Sequence, residues 1–200
     1  MDPITLDVDA EGRPLLGAML ARLGLLPKED LLRALDRQER EGGRIGTCLV
    51  EMGLVSETVL LAALGAQLGV PTVDGSTLEG VAGPEIPRLP ERAARLLRAV
   101  PFARSPKGLL VAMESPRSIS LVDQVRAVCG GPVVPHLALE LRIATALAQH
   151  YRIELPGRIG QVLQRLERRA AAAKLYETLP TAGARIPGSG ERRPGGANRA

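Results

Sequence analysis

The chain has almost no aromatic residues and no long apolar run. Trp is absent, and Phe102, Tyr151 and Tyr176 are the aromatic residues among 200, so the core must be built from Leu, Val, Ile and Ala. No apolar stretch approaches the roughly 18 residues that a transmembrane helix needs, and no basic segment followed by an apolar one indicates a signal peptide. We therefore expect a cytoplasmic protein without a membrane-spanning segment.

Cysteine and histidine are scarce as well, which argues against a metal site. Cys48 and Cys129 form no C-x-x-C pair, and we expect both to be small core residues in a reducing compartment. His136 and His150 have no cysteine or acid at the spacing of metal ligands. We expect structural roles for both histidines, and neither a metal nor a cofactor.

Catalytic motifs are missing too. The chain contains no G-x-x-x-x-G-K-[ST] phosphate loop and no G-x-S-x-G nucleophile turn. No nucleophilic side chain is accompanied by a recognisable base. The sequence therefore predicts a protein that is not an enzyme.

Positive charge is concentrated towards the end of the chain. The formal net charge is +4, and residues 157–200 hold nine basic and three acidic residues, so residues 1–156 are slightly acidic. Without a basic face or stacking aromatics, this larger part lacks the features of a nucleic-acid-binding surface. For the tail, a solvated arm is favoured over weak binding to anionic polymers.

What the sequence does contain is a unit of 24 residues that occurs twice, at 15–38 and 44–67. The copies align without a gap and share nine residues, among them Gly17/Gly46, Gly24/Gly53 and Gln38/Gln67. Apolar residues at helical spacing on both sides of the central glycine predict a helix, a tight turn and a second helix in each copy.

The rest of the pattern predicts an α+β fold. We expect a flexible lead-in over 1–13, the helical repeat over 14–69, a small α/β subdomain over 70–156, a basic helix over 157–177 and a disordered tail over 178–200. Strands are predicted at 70–73, 100–103, 109–113 and 132–136, helices at 90–100, 118–128 and 138–151, and a loop over 74–87.

The repeat carries groups that suit an anion or a flat base. Gly17 and Gly46 fall at the first turn of a helix, where unpaired N–H groups favour an anion and a missing Cβ lets it approach. Arg44 can place its guanidinium on a phosphate or a guanine, and Gln67 can both donate and accept hydrogen bonds. Spacing alone favours the alternative, in which these glycines and the leucines serve tight helix packing.

The two units resemble the double motif of the MshEN family, the N-terminal domain of bacterial assembly ATPases for type II secretion and type IV pili. That motif reads Arg-Leu-Gly, two aliphatic residues, Gly, two aliphatic residues and Leu-x-x-x-Leu-x-x-Gln, repeated after a gap of five, which is the length of 39–43 here. The segments 67–74, 86–103, 109–116 and 146–153 also resemble this domain. The resemblance implies its fold and a cyclic di-GMP ligand, half of it bound by each motif.

Residue by residue, the resemblance implies eleven ligand-binding positions. They are Leu16, Gly17, Leu31, Leu35 and Gln38 in the first copy, and Arg44, Ile45, Gly46, Leu60, Leu64 and Gln67 in the second. Leu15 stands where the motif has arginine, and Ser115 where the family commonly has an aspartate before a proline. Because a charge-assisted hydrogen bond contributes about 1.5–3 kcal/mol, we expect weakened binding.

Two functions follow from the resemblance. One is a non-enzymatic regulatory module of the cyclic di-GMP-binding type, linked to type II secretion or type IV pilus machinery. The alternative is a protein-interaction adaptor on the same scaffold that no longer binds the nucleotide. Because the chain ends where the family's ATPase domain begins, we expect a stand-alone regulatory or adaptor module. The resemblance implies a partner from that machinery or an assembly ATPase. We expect the protein in the bacterial cytoplasm, reaching the inner membrane only through this partner.

Overall fold

The computed structural model describes Gly12 and residues 14–81, 86–155 and 157–178. The tandem repeat forms its first four helices, α1 (Leu16–Arg22), α2 (Lys28–Glu41), α3 (Ile45–Met52) and α4 (Glu57–Leu68). Each copy is thus a helix, a turn and a helix, as predicted. The lead-in predicted over 1–13 and the tail predicted over 178–200 lie outside the described residues, apart from Gly12 and Thr178.

The two copies turn in the same way because a glycine follows the first helix of each. Gly24 and Gly53 adopt φ values of 69° and 70°. This left-handed backbone conformation is open to glycine without the steric cost that a Cβ brings. The shared glycines at these two positions therefore set the same tight turn twice.

The second helices of the two copies begin differently. The Ser56 hydroxyl accepts a hydrogen bond from the Val59 N–H at 3.3 Å and caps α4. Pro27 precedes α2 and provides no side-chain cap, but Glu29 and Asp30 lie in the first turn of this helix. Their negative charges are favourable there because the N-terminal end of a helix carries partial positive charge.

The following elements build a small sheet with helices against it. They are α5 (Gly75–Glu79), α6 (Glu91–Leu97), β1 (Ala99–Ser105), β2 (Gly108–Met113), α7 (Ile119–Cys129), β3 (Val133–Leu137) and α8 (Glu140–Tyr151). The order is β1-β2-β3, with β1 antiparallel and β3 parallel to β2. Gly108 is required after the hairpin turn, because an added Cβ would lie 2.3 Å from the Pro132 carbonyl oxygen.

The strand predicted at 70–73 is reduced to a single bridge. Only Thr72 of this segment pairs with β3, opposite Leu137. The Val73 N–H donates to the Leu137 carbonyl at 2.9 Å, and the Leu137 N–H donates to the Pro71 carbonyl at 2.8 Å. Proline lacks an N–H, so it cannot extend the pairing as a regular strand residue would.

The loop predicted over 74–87 contains α5. The Asp74 carboxylate accepts a hydrogen bond from the Thr77 N–H at 2.8 Å and another from the Ser76 hydroxyl at 2.8 Å. Asp74 therefore caps this short helix. The sequence did not predict the helix, because the segment is rich in residues that favour turns. The bond from the Thr77 N–H is also the main reason why the pKa of Asp74 lies below its ordinary value of 3.8.

Apolar side chains form two buried clusters. The first is made by the sheet together with α5, α6, α7 and α8. The second joins Leu20 and Leu49 of the repeat to Leu141 of α8 and Val162 of α9 (Gly157–Thr178). The repeat therefore shares its core with later elements, and the described residues up to Leu166 form one compact unit. The residues from Glu167 onward belong to a second unit.

A buried carboxylate holds the start of α9 against the repeat. The Glu51 side chain is 1% exposed, and its Oε1 atom lies 2.7 Å from Arg37 Nη2 and 2.5 Å from Arg165 Nη2. Arg158 also donates to the Gly42 carbonyl oxygen. Burial of a charge is tolerated where charged partners surround it, as here. Within the described part of the chain, no helix is both long and apolar enough to cross a membrane.

Candidate functional site

One cleft of about 580 Å³ gathers all eleven residues that the resemblance assigned to a ligand. Both motifs contribute to its wall: Leu16, Gly17, Leu31, Leu35 and Gln38 from the first, and Arg44, Ile45, Gly46, Leu60, Leu64 and Gln67 from the second. The segment 137–141, from the end of β3 into α8, supplies a further wall that the motif does not include. The structure thus brings the predicted residues together, and their binding of a ligand stays a prediction.

The two glycines of the site make room for leucines of their own motif. A Cβ at Gly17 would lie 2.5 Å from Leu31 Cδ1, and a Cβ at Gly46 would lie 3.1 Å from Leu60 Cδ2. Leu31 and Leu60 stand at equivalent positions of the two copies. Tight packing, the alternative that spacing favoured, is therefore a role that the contacts show for both glycines. Both glycines also line the cleft, and the approach of an anion to them stays a prediction.

The two glutamines join the motifs to each other. Gln67, the last residue of the second motif, donates to the carbonyl of Pro14 at 2.6 Å, directly before the first motif. Gln38, the last residue of the first motif, donates to the carbonyl of Gly43 at 2.8 Å, directly before the second motif. Each motif therefore ends by holding the beginning of the other. One donor of each amide is used in this way, and both glutamines line the cleft.

Arg44 is paired with a carboxylate that sequence reasoning missed. Its Nη2 atom lies 3.0 Å from Glu114 Oε2, and Arg98 lies 2.6 Å from the other oxygen, Glu114 Oε1. The Arg44 side chain is 54% exposed and that of Glu114 only 9%. Glu114 directly follows β2, and a polar residue at the end of a buried strand was the available signal. Arg44 has five N–H donors, so this pair leaves others for a ligand.

A second unpredicted carboxylate, Glu140, also lines the cleft. The Thr47 hydroxyl donates to Glu140 Oε2 at 3.1 Å, which joins α3 to the start of α8. Glu140 lies in the first turn of α8, where the helix dipole favours a negative charge. Nothing in the repeat sequence indicates this residue, because it reaches the cleft only through the packing of α8 on the repeat.

The polar groups of the cleft are set in a mostly leucine-lined wall. Arg44 is the cation among the described residues that line it, and Glu114 and Glu140 are the acids among them. No side chain caps α3, so the N–H groups of its first turn, from Ile45 onward, have no acceptor within the helix. The cleft can therefore offer backbone donors, one guanidinium and flat apolar surfaces. Such a combination suits a planar base attached to an anionic group.

The first half of the site lacks the arginine of the second. Leu15 occupies the position equivalent to Arg44, lines the cleft and is 44% exposed. Arg13, the nearest basic residue before it, lies outside the described residues. Ser115 is not among the residues that line the cleft; its neighbour Glu114 is. The two halves are therefore alike in backbone and apolar surface and unlike in charge.

The cysteines and histidines have surroundings that match structural roles. Cys48 is buried, and burial raises the pKa of the Cys129 thiol, which keeps it protonated. The His136 ring packs edge-on against Phe102 with centroids 5.1 Å apart. His150 Nε2 lies 3.2 Å from the Leu78 carbonyl oxygen. Across the described residues, no group of His, Cys, Asp or Glu side chains is arranged to hold a metal ion.

Comparison with known proteins identifies the family and the fold. The sequence profile of the MshEN domain matches residues 68–157. A solved structure of MshE with cdg is 30% identical to this chain, with a TM-score of 0.50, and the match covers 68% of this chain and 98% of that one. The chain belongs to the MshEN domain family. Its α+β fold, with a small three-stranded sheet, is the fold of that family.

Two curated relatives of this MshEN domain are type IV pilus assembly ATPases named PilB. The protein from Myxococcus xanthus is 33% identical over 137 residues, and the protein from Thermus thermophilus is 34% identical over 139 residues. Each match covers 68% of this chain but only 24% and 15%, respectively, of the relatives. The chain therefore spans a quarter or less of the pilus ATPases that it resembles.

Proposed function

We propose that this chain is a regulatory module of type IV pilus or type II secretion machinery and binds cyclic di-GMP in the leucine-lined cleft. The observation that carries the proposal is the convergence of all eleven motif residues, from both copies, on one cleft of about 580 Å³. The relationship to an MshE that was solved with cdg supports the choice of ligand. In this proposal ligand occupancy is the signal, and the module performs no catalytic step.

The second motif provides the stronger half of the proposed site. The N–H groups at the start of α3, beside Gly46, donate to a phosphate, and Arg44 adds a charge-assisted bond. Leu60 and Leu64 offer apolar surface to a guanine. Arg44 shares the Glu114 carboxylate with Arg98, at 3.0 and 2.6 Å respectively, so Glu114 orients the Arg44 guanidinium before the ligand arrives.

The first motif provides the weaker half because Leu15 replaces arginine. The missing charge-assisted hydrogen bond would contribute about 1.5–3 kcal/mol, which is roughly one to two decades in affinity. The apolar and backbone groups of this half remain in place, from Gly17 to Gln38. We therefore propose binding that is weaker than a site with two arginines would give.

Isothermal titration of the full chain with cyclic di-GMP tests this function. We expect saturable heat from the wild-type chain, binding about tenfold or more weaker with Arg44→Ala, and binding about tenfold or more tighter with Leu15→Arg. Arg40→Ala is the matched control, because Arg40 is an exposed arginine of α2 that pairs with Asp36 and does not line the cleft. Its affinity should equal that of the wild type.

The Leu15→Arg variant separates two kinds of failure. Heat only from this variant would mean that the scaffold is competent and that the natural chain has lost the ligand, which favours the adaptor function. No heat from either protein, with both folded by circular dichroism, would refute binding of cyclic di-GMP by this cleft.

A further inference from the structure

The two motifs are equivalent in sequence but are covered unequally. Leu61 of the second motif is 9% exposed, whereas its counterpart Leu32 in the first motif is 57% exposed. Leu23 and Leu25, around the turn of the first motif, are 62% and 47% exposed. Their counterparts, Met52 and Leu54, are partly buried against the second apolar cluster. The same kind of surface is thus covered in one copy and open in the other.

Later parts of the chain cover the second motif. Ile159 and Val162 of α9 are buried in the cluster that Met52 and Leu54 pack against. A polar contact closes this interface at its edge, where Arg165 Nη2 lies 2.5 Å from Glu51 Oε1. An amphipathic helix with a basic residue facing an acid therefore docks on this copy.

The first motif has the opposite charge at the same place. The counterpart of Glu51 is Arg22, an exposed residue in the last turn of α1, and no acid among the described residues forms an ion pair with it. Along the chain, Arg22 directly precedes Leu23 and is three residues before Leu25. Leu32 lies in the next helix, α2. We call these four residues the open face of the first motif.

We propose that the open face binds an amphipathic helix of a partner protein, one that carries an acidic residue where α9 carries Arg165. The apolar side of such a helix would cover Leu23, Leu25 and Leu32, as α9 and the start of α8 cover the second motif. Its acid would pair with Arg22. A second copy of α9 does not fit this description, because its Arg165 would meet Arg22 with like charge.

The test uses the full chain and two labelled peptides of residues 157–172. One peptide has the natural sequence, and the other carries Arg165→Glu. Fluorescence anisotropy should show saturable binding of the Arg165→Glu peptide, about tenfold tighter than that of the natural peptide, because attraction at Arg22 replaces repulsion. The chain variant Arg22→Glu should reverse this preference.

Apolar variants show where the peptide binds. The double variant Leu23→Ser and Leu32→Ser should abolish binding of the Arg165→Glu peptide. The matched control is Leu96→Ser and Ile119→Ser, which removes two leucine-sized side chains that are 73% and 78% exposed elsewhere on the surface. The control should bind the peptide as the wild-type chain does. Thermal melting of each variant checks that it is folded.

Three results would overturn the proposal. If neither peptide binds, the open face is not a docking site for a helix. A preference for the natural peptide would mean exchange with α9 at Glu51 rather than docking at Arg22. Self-association of the chain in sedimentation equilibrium that is lost with Leu23→Ser and Leu32→Ser would assign the open face to a second copy instead of a partner helix.

Discussion

Two carboxylates, Glu51 and Glu114, link helices of the repeat to other elements through ion pairs. Glu51 is buried and joins α3 to α2 and α9 through Arg37 and Arg165, and Glu114 joins Arg44 of the repeat to Arg98 at the start of the sheet. Charged groups at such places stabilise only as complete pairs, because an arginine or a carboxylate left alone beside a core keeps its desolvation cost.

Replacement of Glu51 by glutamine should lower the free energy of unfolding by about 3 kcal/mol, because Arg37, Arg158 and Arg165 lose a buried counter-charge. Urea denaturation followed by circular dichroism measures this loss. Glu91→Gln is the matched control, since Glu91 pairs with Arg95 on the surface at 3.6 Å; there we expect a change below about 1 kcal/mol. Equal losses in both variants would contradict a special role for Glu51.

The acid dependence of stability should carry a contribution from Asp74. Its folded-state pKa is lowered from 3.8, mainly by the Thr77 N–H, so it stabilises the fold above the unfolded pKa and loses this effect as pH falls through the folded value. Wild type and Asp74→Asn should therefore differ most near neutral pH and converge in acid. Since Asp74 is exposed the difference is small, and thermal unfolding over an acid pH series measures it.

Residue roles were only partly accessible from the sequence. Gly17, Gly46 and Arg44 could be located because the repeat aligns them, and all three line the cleft. The hydrogen bonds of Gln38 and Gln67 to backbone carbonyls could not be foreseen, because they depend on how one motif meets the other. Glu140 could not be foreseen for the same reason, since only the packing of α8 on the repeat brings it to the cleft. Glu114 had one local signal, its position directly after β2.

Among the elements, α4 offers a direct test of how the repeat begins its second helix. Ser56→Ala removes the side chain that caps the Val59 N–H and should cost about 1 kcal/mol in unfolding free energy. Ser56→Asp retains an acceptor and should cost much less. Urea denaturation compares the two variants, and equal losses would mean that the cap contributes nothing to the stability of α4.

Helices were predicted more accurately than the short elements between them. The helix, turn and helix of each motif follow the sequence pattern, because apolar periodicity and the central glycine agree there, and β2 begins one residue before its predicted start. The segments 70–73 and 74–87 were misread because their structure depends on single contacts. Thr72 pairs with β3 only through Leu137, and α5 exists because of the Asp74 cap.

For the whole molecule, the start of α9 should matter as much as a core helix. A chain that ends at residue 156 loses Ile159 and Val162 from the apolar cluster and two arginines from Glu51, whereas one that ends at Leu166 retains them. Burial of such side chains contributes about 1.5–3 kcal/mol each. We expect the shorter chain to be less stable by about 3 kcal/mol or more.

Both truncated chains lack everything after Leu166, so their difference reports only residues 157–166. Differential scanning calorimetry of the two chains measures it. Equal melting temperatures would show that the contacts of Arg158, Ile159, Val162 and Arg165 add no stability. The sequence indicated only a basic helix here, because amphipathicity shows that a helix has an apolar side but not which surface that side covers.

The paired glutamines have a consequence for how the two motifs could diverge. Gln67 and Gln38 donate hydrogen bonds to the carbonyl oxygens of Pro14 and Gly43, respectively, and every residue type supplies a backbone carbonyl. These two hydrogen bonds therefore do not depend on which side chain follows, at position 15 or 44. Position 15 can therefore carry leucine and position 44 arginine while both glutamine hydrogen bonds are kept. A duplicated scaffold of this kind can change its chemistry one half at a time.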